Sequence, residues 1–426
     1  MATGQGWGLD FYDCIVNNDL ARLESLVEQH KIDLNAKFTE VRKKNHLDLS
    51  PIHLVAYKGY TGMLQYVYDM KCDIHQTTAT LRRTAFHFAV LRHKMACFHK
   101  LLSFGVNPDA RDTFGNSPCH YAAEDGACDI LDVLLKHKID VNAQDITLKT
   151  PLMKATRNGK IEAVKRLIQS GCSLNIRDKN RDTALHFAAR HGSAGLVNVL
   201  IEAGSDVNIQ NQWGHTPLME AVCYNNKDAA ARLLQADCNV NLREYKSGDT
   251  ALHVAVRKNY SVLVEQLLAT GKVNHVYNYQ GELAFFDAVA NQKIETLKLF
   301  LYYNYDLDVP AKLEYDGTGG KTLVRIALER GHFELLKLFA QLGFIITFPI
   351  ASALSAEGAR LGSGPMDNEH ACNIQRFLSE IQLVRSLREL CRKTIRKQVG
   401  FGINEKVKEL LLPVSLKEFI ILKEIF

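Results

Sequence analysis

The sequence predicts an all-α solenoid built from stacked helix-turn-helix pairs. Two observations carry this. A Ser or Thr opening a helical pattern recurs at Ser50, Thr84, Ser117, Thr150, Thr183, Thr216 and Thr250, at steps of 34, 33, 33, 33, 33 and 34 residues. The strings around it are near copies: NSPCHYAAEDG at 116–126, DTALHFAARHG at 182–192 and DTALHVAVRKN at 249–259. Self-similarity at a fixed period of this length marks a repeat architecture.

Each unit can be read in order. The Ser or Thr starts a first helix, where its hydroxyl accepts a free backbone N–H. Pro51, Pro118, Pro151 and Pro217 follow the anchor directly, and proline suits the first helical turn because that N–H has no helical partner. A second helix follows, with apolar residues at helical spacing such as Val164, Leu167 and Ile168. Gly105, Gly171 and Gly204 end it, since glycine tolerates the left-handed conformation at a helix C-terminus. Asn142, Asn175, Asn208 and Asn241 lead into the next turn. Two degenerate copies align at Leu283 and Thr322, the last step being 39 residues with an insertion around Pro310 to Gly319. The segment from Phe11 to Asn35 reads as a capping copy.

Composition narrows the function classes. The chain has 426 residues, 46% hydrophobic and 23% charged, as in a globular protein. Its net charge of +5 lies in the tail: from Arg385 to Phe426 there are ten Lys/Arg and five Asp/Glu. The remainder is neutral, so the basic footprint of a nucleic-acid binder is absent there. The ten cysteines include no C-x-x-C pair, which argues against zinc-ribbon spacing and a disulfide framework. The start MATGQGWGLD lacks a basic stretch followed by an apolar run. The expected location is the cytoplasm, with the nucleus as an alternative, and no membrane association. Leu338 to Ala356 is uncharged for 19 residues, but Gly343 and Pro349 interrupt it. It reads as a helix end followed by an apolar linker.

Several groups look like chemistry. His53, His87, His120, His186 and His253 recur at one repeat position. They belong to different repeats, so they read as residues that bond the neighbouring repeat's backbone, not as metal ligands or acid–base groups. DGTGGKT at 316–322 approaches a phosphate loop, but Tyr315 stands where the first Gly must be. Cys119, Cys128 and Cys223 fall in repeat helices and read as small packing residues. No hydrolase, zincin, kinase or dinucleotide motif is present. The expectation is a non-catalytic chain with no cofactor and no metal.

The repeat resembles the ankyrin repeat over roughly residues 10–344. The resemblance implies an ankyrin-repeat solenoid with hairpin fingers, stable only as a stack, that binds proteins on the face formed by finger tips and first helices. Phe114 and Trp213 occupy equivalent finger positions just before a Gly. They are candidate substrate anchors, with Glu124, Arg190, His215 and Tyr224 nearby. Packing of the finger aromatics on a neighbouring finger is an equally good reading of the sequence.

After the array comes a linker with AEGARLGSGP at 356–365, then SLRELCRKTIRK at 386–397. Leu387, Leu390, Cys391 and Ile395 form one apolar stripe on a helix, opposite Arg388, Arg392, Lys393 and Arg396. Such a helix either folds back on the last repeat or docks into a partner's groove. Periodicity does not separate the two. Ser386, Leu387, Cys391 and Ile395 match the elongin-binding box of the SOCS-box family in order and spacing. Leu410, Leu411, Leu412, Pro413, Leu416, Phe419 and Ile420 match its cullin box, with Leu411 and Phe419 standing for the family's Pro and Tyr.

The whole chain is similar to the ankyrin repeat and SOCS box family. This implies a substrate-recognition subunit of a ubiquitin ligase. Ser386, Leu387, Leu390, Cys391 and Ile395 would hold the elongin B/C heterodimer. Leu410, Leu412, Pro413, Leu416 and Phe419 would hold cullin-5 with its RING-box protein. The expected organisation is a capping repeat at 1–42, an array of about nine repeats at 43–344, a linker and helical lead-in at 345–384 and a SOCS box at 385–426. The competing reading is an ankyrin scaffold or inhibitor whose tail is only a cap.

Overall fold

The computed structural model describes residues 7–37 and 49–307, together with positions 323, 326, 327, 330, 332, 335 and 339. The 385–426 tail, the 316–322 string and most of the apolar run after 338 lie outside these residues. The chain divides into two units, Met1–Gln212 and Trp213–Phe426. Among the described residues all regular structure is helical.

In the first unit the helices pair as α1 (Trp7–Asn17) with α2 (Leu20–His30), α3 (Pro51–Lys58) with α4 (Thr61–Asp69), and α5 (Ala85–Leu91) with α6 (Met95–Ser103). Then follow α7 (Pro118–Asp125) with α8 (Cys128–Lys136), α9 (Pro151–Arg157) with α10 (Ile161–Gln169), and α11 (Ala184–His191) with α12 (Ala194–Glu202). The second unit holds α13 (Pro217–Cys223) with α14 (Lys227–Gln235), α15 (Ala251–Arg257) with α16 (Ser261–Ala269), and α17 (Ala284–Ala290) with α18 (Ile294–Tyr302). First helices pack on first helices within each unit, α1 through α11 and α13 through α17. Second helices form a parallel layer. Leu131, Val164, Leu167 and Leu200 are fully buried between the layers, and Ile168 is half-buried. A single pair leaves one face of each helix bare, so only stacking completes the core.

The anchor residues cap the first helices as expected. Thr150 and Thr216 Oγ1 accept the N–H of Met153 and Met219 at 3.3 and 3.2 Å. At Ser50, Thr84, Ser117, Thr183 and Thr250 the cap is reciprocal, and the third helical residue is the recurrent histidine. Leu283 opens α17 without a side-chain cap. The expected repeat after Thr322 is visible in part: Leu323, Ala327, Leu335 and Phe339 are helical and buried. Arg330 and His332 donate to Ala290 O at the end of α17.

The histidines join one repeat to the next. The cap N–H and hydroxyl of Ser117 both donate to Nδ1 of His120, at 3.1 and 2.9 Å. Nε2–H of His120 donates to Lys149 O at 3.1 Å, across to the following finger. His53, His87 and His253 repeat this on Gln76 O, Asn116 O and Glu282 O. An acceptor at Nδ1 and a donor at Nε2 define the neutral ring. Burial holds His87 and His120 in that form, lowering each to about 4, and lowers His253 as well.

The asparagines also link repeats. Oδ1 of Asn35, Asn142, Asn175 and Asn241 accepts the N–H of Asp73, Ser173, Asp206 and Asn274 respectively, at 2.8–3.1 Å. Cys119 is fully buried, its thiol pushed up to about 12 by burial, while Cys128 and Cys223 are half-buried. A thiol kept protonated this way is a packing residue.

Candidate protein-interaction face

Several fingers are tied off by an acidic or amide side chain that the repeat pattern does not single out, while Thr78 Oγ1 accepts the N–H of Arg83 at 3.0 Å in the finger before α5. Asp112 Oδ1 accepts the N–H groups of Phe114 and Asn116, both at 2.9 Å. Asp145, Asp178 and Asn278 do the same one repeat apart. A short side chain that folds back on the backbone two residues ahead is a turn-former, and Asp and Asn fit it best. Glu244 takes the role in the finger that is one residue longer, accepting from the N–H of Lys246 at 2.8 Å and from Ser247. At Asp145 burial pushes the carboxyl up, but donors from Thr147, Lys149 and Lys154 outweigh it and leave it below the ordinary value.

Successive fingers bond tip to tip. Ile146 N–H donates to Phe114 O, Lys179 N–H to Thr147 O, Tyr245 N–H to Trp213 O and Tyr279 N–H to Ser247 O, at 2.8–2.9 Å. Gly214 stands at φ +84°, and a β-carbon there would come within 2.7 Å of Tyr245 N and 2.8 Å of its ring. Both the left-handed backbone and the close approach exclude a side chain. Gly214→Ala is therefore expected to lower stability by about 2 kcal/mol or more. Urea denaturation of the full chain checks this; an unchanged midpoint contradicts it.

The predicted substrate residues fall into two groups, one per unit. In the first unit Phe114 is 45% exposed at a finger tip. Glu124 is half-buried, and its carbonyl accepts from Asn158 Nδ2 at 3.0 Å. Arg190 is engaged internally: it donates to Asp182 Oδ2 at 2.8 Å and lies over the Phe187 ring. In the second unit Trp213 is 46% exposed, with the His215 ring 6.4 Å away. His215 Nδ1 pairs with the buried Glu220 at 3.1 Å. Tyr224 caps α13 and is 58% exposed. Phe114, Trp213 and Tyr224 are thus exposed, while Arg190 and His215 are engaged by carboxylates of their own unit.

Inspection for aromatics directly before a Gly missed Tyr245, Tyr279 and Ile146, all exposed on finger tips. Tyr245 precedes its Gly by three residues because that finger is one residue longer. The 34-residue step to Thr250 was the available signal. A triad with a half-buried arginine also went unread: Arg83 Nε lies 3.4 Å from Asp112 Oδ2, Arg83 Nη2 donates to the Tyr121 hydroxyl at 2.7 Å, and that hydroxyl donates to the buried Asp112. Among the described residues no cluster of His, Cys, Asp or Glu could hold a metal ion, and no helix is long and apolar enough to cross a membrane.

Within each unit, among the described residues, the structure is a helical repeat stack with capped first helices and exposed aromatic side chains at the finger tips. Family models match ankyrin repeats (three copies) over residues 52–145, 146–211, 193–278 and 233–311, and a SOCS box over 383–421. The chain belongs to the ankyrin repeat and SOCS box family. Similar proteins match over part of this chain. Alpha-latrotoxin-Lg1a of Latrodectus geometricus is 28% identical over 92 residues, 21% of this chain and 7% of the toxin. Alpha-latrotoxin-Lt1a of Latrodectus tredecimguttatus is 30% identical over 92 residues, 21% of this chain and 7% of the toxin. A putative ankyrin repeat protein of Coxiella burnetii is 31% identical over 114 residues, 27% of this chain and 29% of that protein. The chain thus spans less than a third of each.

Proposed function

We propose that this chain is a non-catalytic subunit of a cullin-5 ubiquitin ligase: its array holds a substrate protein and its tail binds elongin B/C. The carrying observation is the order of the matched segments. A SOCS box at 383–421 follows ankyrin repeats ending at 311, and both boxes read from the sequence lie inside it. Leu387 would enter an apolar pocket of elongin C, with Cys391 packed closely beside it and Ser386, Leu390 and Ile395 on the same face. Leu410, Leu412, Pro413, Leu416 and Phe419 would contact cullin-5, which carries the RING-box protein. Ubiquitin is then delivered by another subunit, while Phe114, Trp213 and Tyr224 contribute to substrate contact.

Co-purification tests this. The full chain should recover elongin B and C, and through them cullin-5. Failure to recover elongins from the native chain leaves an ankyrin scaffold as the reading. Leu411 stands where the family's cullin box has Pro. Leu411→Pro is expected to increase cullin-5 recovery about threefold or more, as a pre-set backbone lowers the ordering cost of binding, with elongin recovery unchanged. Equal cullin-5 recovery would show that Leu411 is neutral.

A further inference from the structure

The second unit presents a row of rings that the adaptor reading does not by itself explain. Trp213, Tyr245 and Tyr279 lie on successive fingers, with Tyr245 and Tyr279 53% and 58% exposed. Two features make the row a fixed platform. Each tyrosine ring lies across the glycine of the preceding finger, Tyr245 on Gly214 and Tyr279 on Gly248, where a β-carbon would stand 2.8 Å from ring carbons. Each tyrosine N–H is also bonded to the finger before it. In the first unit, Gly115 faces the backbone of Asp145 and Ile146 instead, with no ring across it. The hydroxyls of Tyr245 and Tyr279 have no hydrogen-bond partner among the described residues, so both are open donors.

Two basic residues, Lys246 and Arg243, lie near the rings. Lys246 is exposed between them. Arg243 lies over the Tyr279 ring at 5.7 Å and donates to Tyr277 O. Glu244, the carboxylate of that finger, is buried and engaged by Lys246 N–H and Ser247. Glu282 is exposed, but it follows the next tip and adjoins the α17 anchor.

Repeat geometry favours one ligand conformation. Tyr245 and Tyr279 are equivalent positions in adjacent repeats, so their separation is expected to follow that of packed repeat helices, about 8–10 Å. A polyproline-II chain rises about 3.1 Å per residue with three residues per turn, so one face recurs about every 9 Å. An extended strand presents one face every two residues, about 6.7 Å, and does not match. Aromatic rings with outward donors are also the surface on which a proline-rich helix docks.

We propose that the finger edge formed by Trp213, Tyr245 and Tyr279 binds a polyproline-II segment bearing acidic residues, with prolines three apart on the two tyrosines and carboxylates toward Lys246 and Arg243. Naming this segment as part of the substrate rests on the adaptor reading; the binding itself does not.

The test uses the full chain and a fluorescein-labelled peptide of about twelve residues made of Pro-Pro-Glu repeats, followed by anisotropy. Saturable binding is expected, weakened tenfold or more by Tyr245→Ala with Tyr279→Ala. Lys246→Glu, an exposed change that leaves the fold intact, should weaken it threefold or more. A Pro-Pro-Lys peptide should not bind. The proposal is overturned if the Pro-Pro-Glu peptide does not bind, if a Gly-Ser-Glu peptide of equal charge binds as well, or if the variants bind unchanged. Elongin recovery from the same preparations reports on the adaptor reading separately: lost elongin with retained peptide binding sinks only the ligase role.

Discussion

Leu387→Ala combined with Cys391→Ala is expected to abolish recovery of elongin B and C by the full chain. Burying one leucine contributes about 1.5–3 kcal/mol, and removing its side chain from a fitted pocket costs about 2–5 kcal/mol. Leu387→Ala alone should therefore weaken elongin binding tenfold or more. Cys391 is small and would pack closely beside Leu387 in the proposed contact, so Cys391→Phe should be as damaging as truncation, by overpacking it. The array is far from these changes in sequence, so Pro-Pro-Glu binding and urea stability should not move. Full elongin recovery by the double variant would mean that the tail is only a cap. Loss of elongin with loss of stability would mean that the helix packs on this chain's own repeats.

Acid should loosen the array over a defined window. His87 and His120 are held neutral in the fold, each lowered to about 4 by burial, and His253 is lowered in the same sense. In the unfolded chain a histidine takes its proton near pH 6.5. A lowered histidine thus favours the fold fully above about pH 6.5, and this stability is lost as pH falls toward the folded value. At about pH 5, each of His87 and His120 has removed on the order of 2 kcal/mol. The carboxylates of Asp145 and Asp249, held below their ordinary value, add a loss only at still lower pH. Urea midpoints at about pH 7 and about pH 5 should therefore differ clearly. His120→Leu should reduce stability at neutral pH, because the bond to Lys149 O is lost, and should flatten the pH dependence. Midpoints that coincide at the two pH values would show that these rings protonate without leaving their places.

What the sequence determined here is whatever has a period. The steps between Ser50 and Thr250 place the first helices, since a repeat cannot bury its face alone and each copy must keep the same anchor. The histidine role followed as well, because rings at one position of successive stacked repeats are each set beside the next repeat's backbone. The SOCS box at 383–421 was legible because its motifs are short and linear.

Tertiary structure decided what has no period. Arg190 and His215 are chemically suited to an interface, yet Asp182 and Glu220 claim them; a buried carboxylate needs a paired donor, and only folding brings that partner close. Tyr245 and Tyr279 became a platform through Gly214 and Gly248, residues of the preceding fingers, because a ring can lie flat on a neighbour only where the β-carbon is missing. The repeat period fixes the stack; the side chains that break the period at the finger tips decide what surface those tips present.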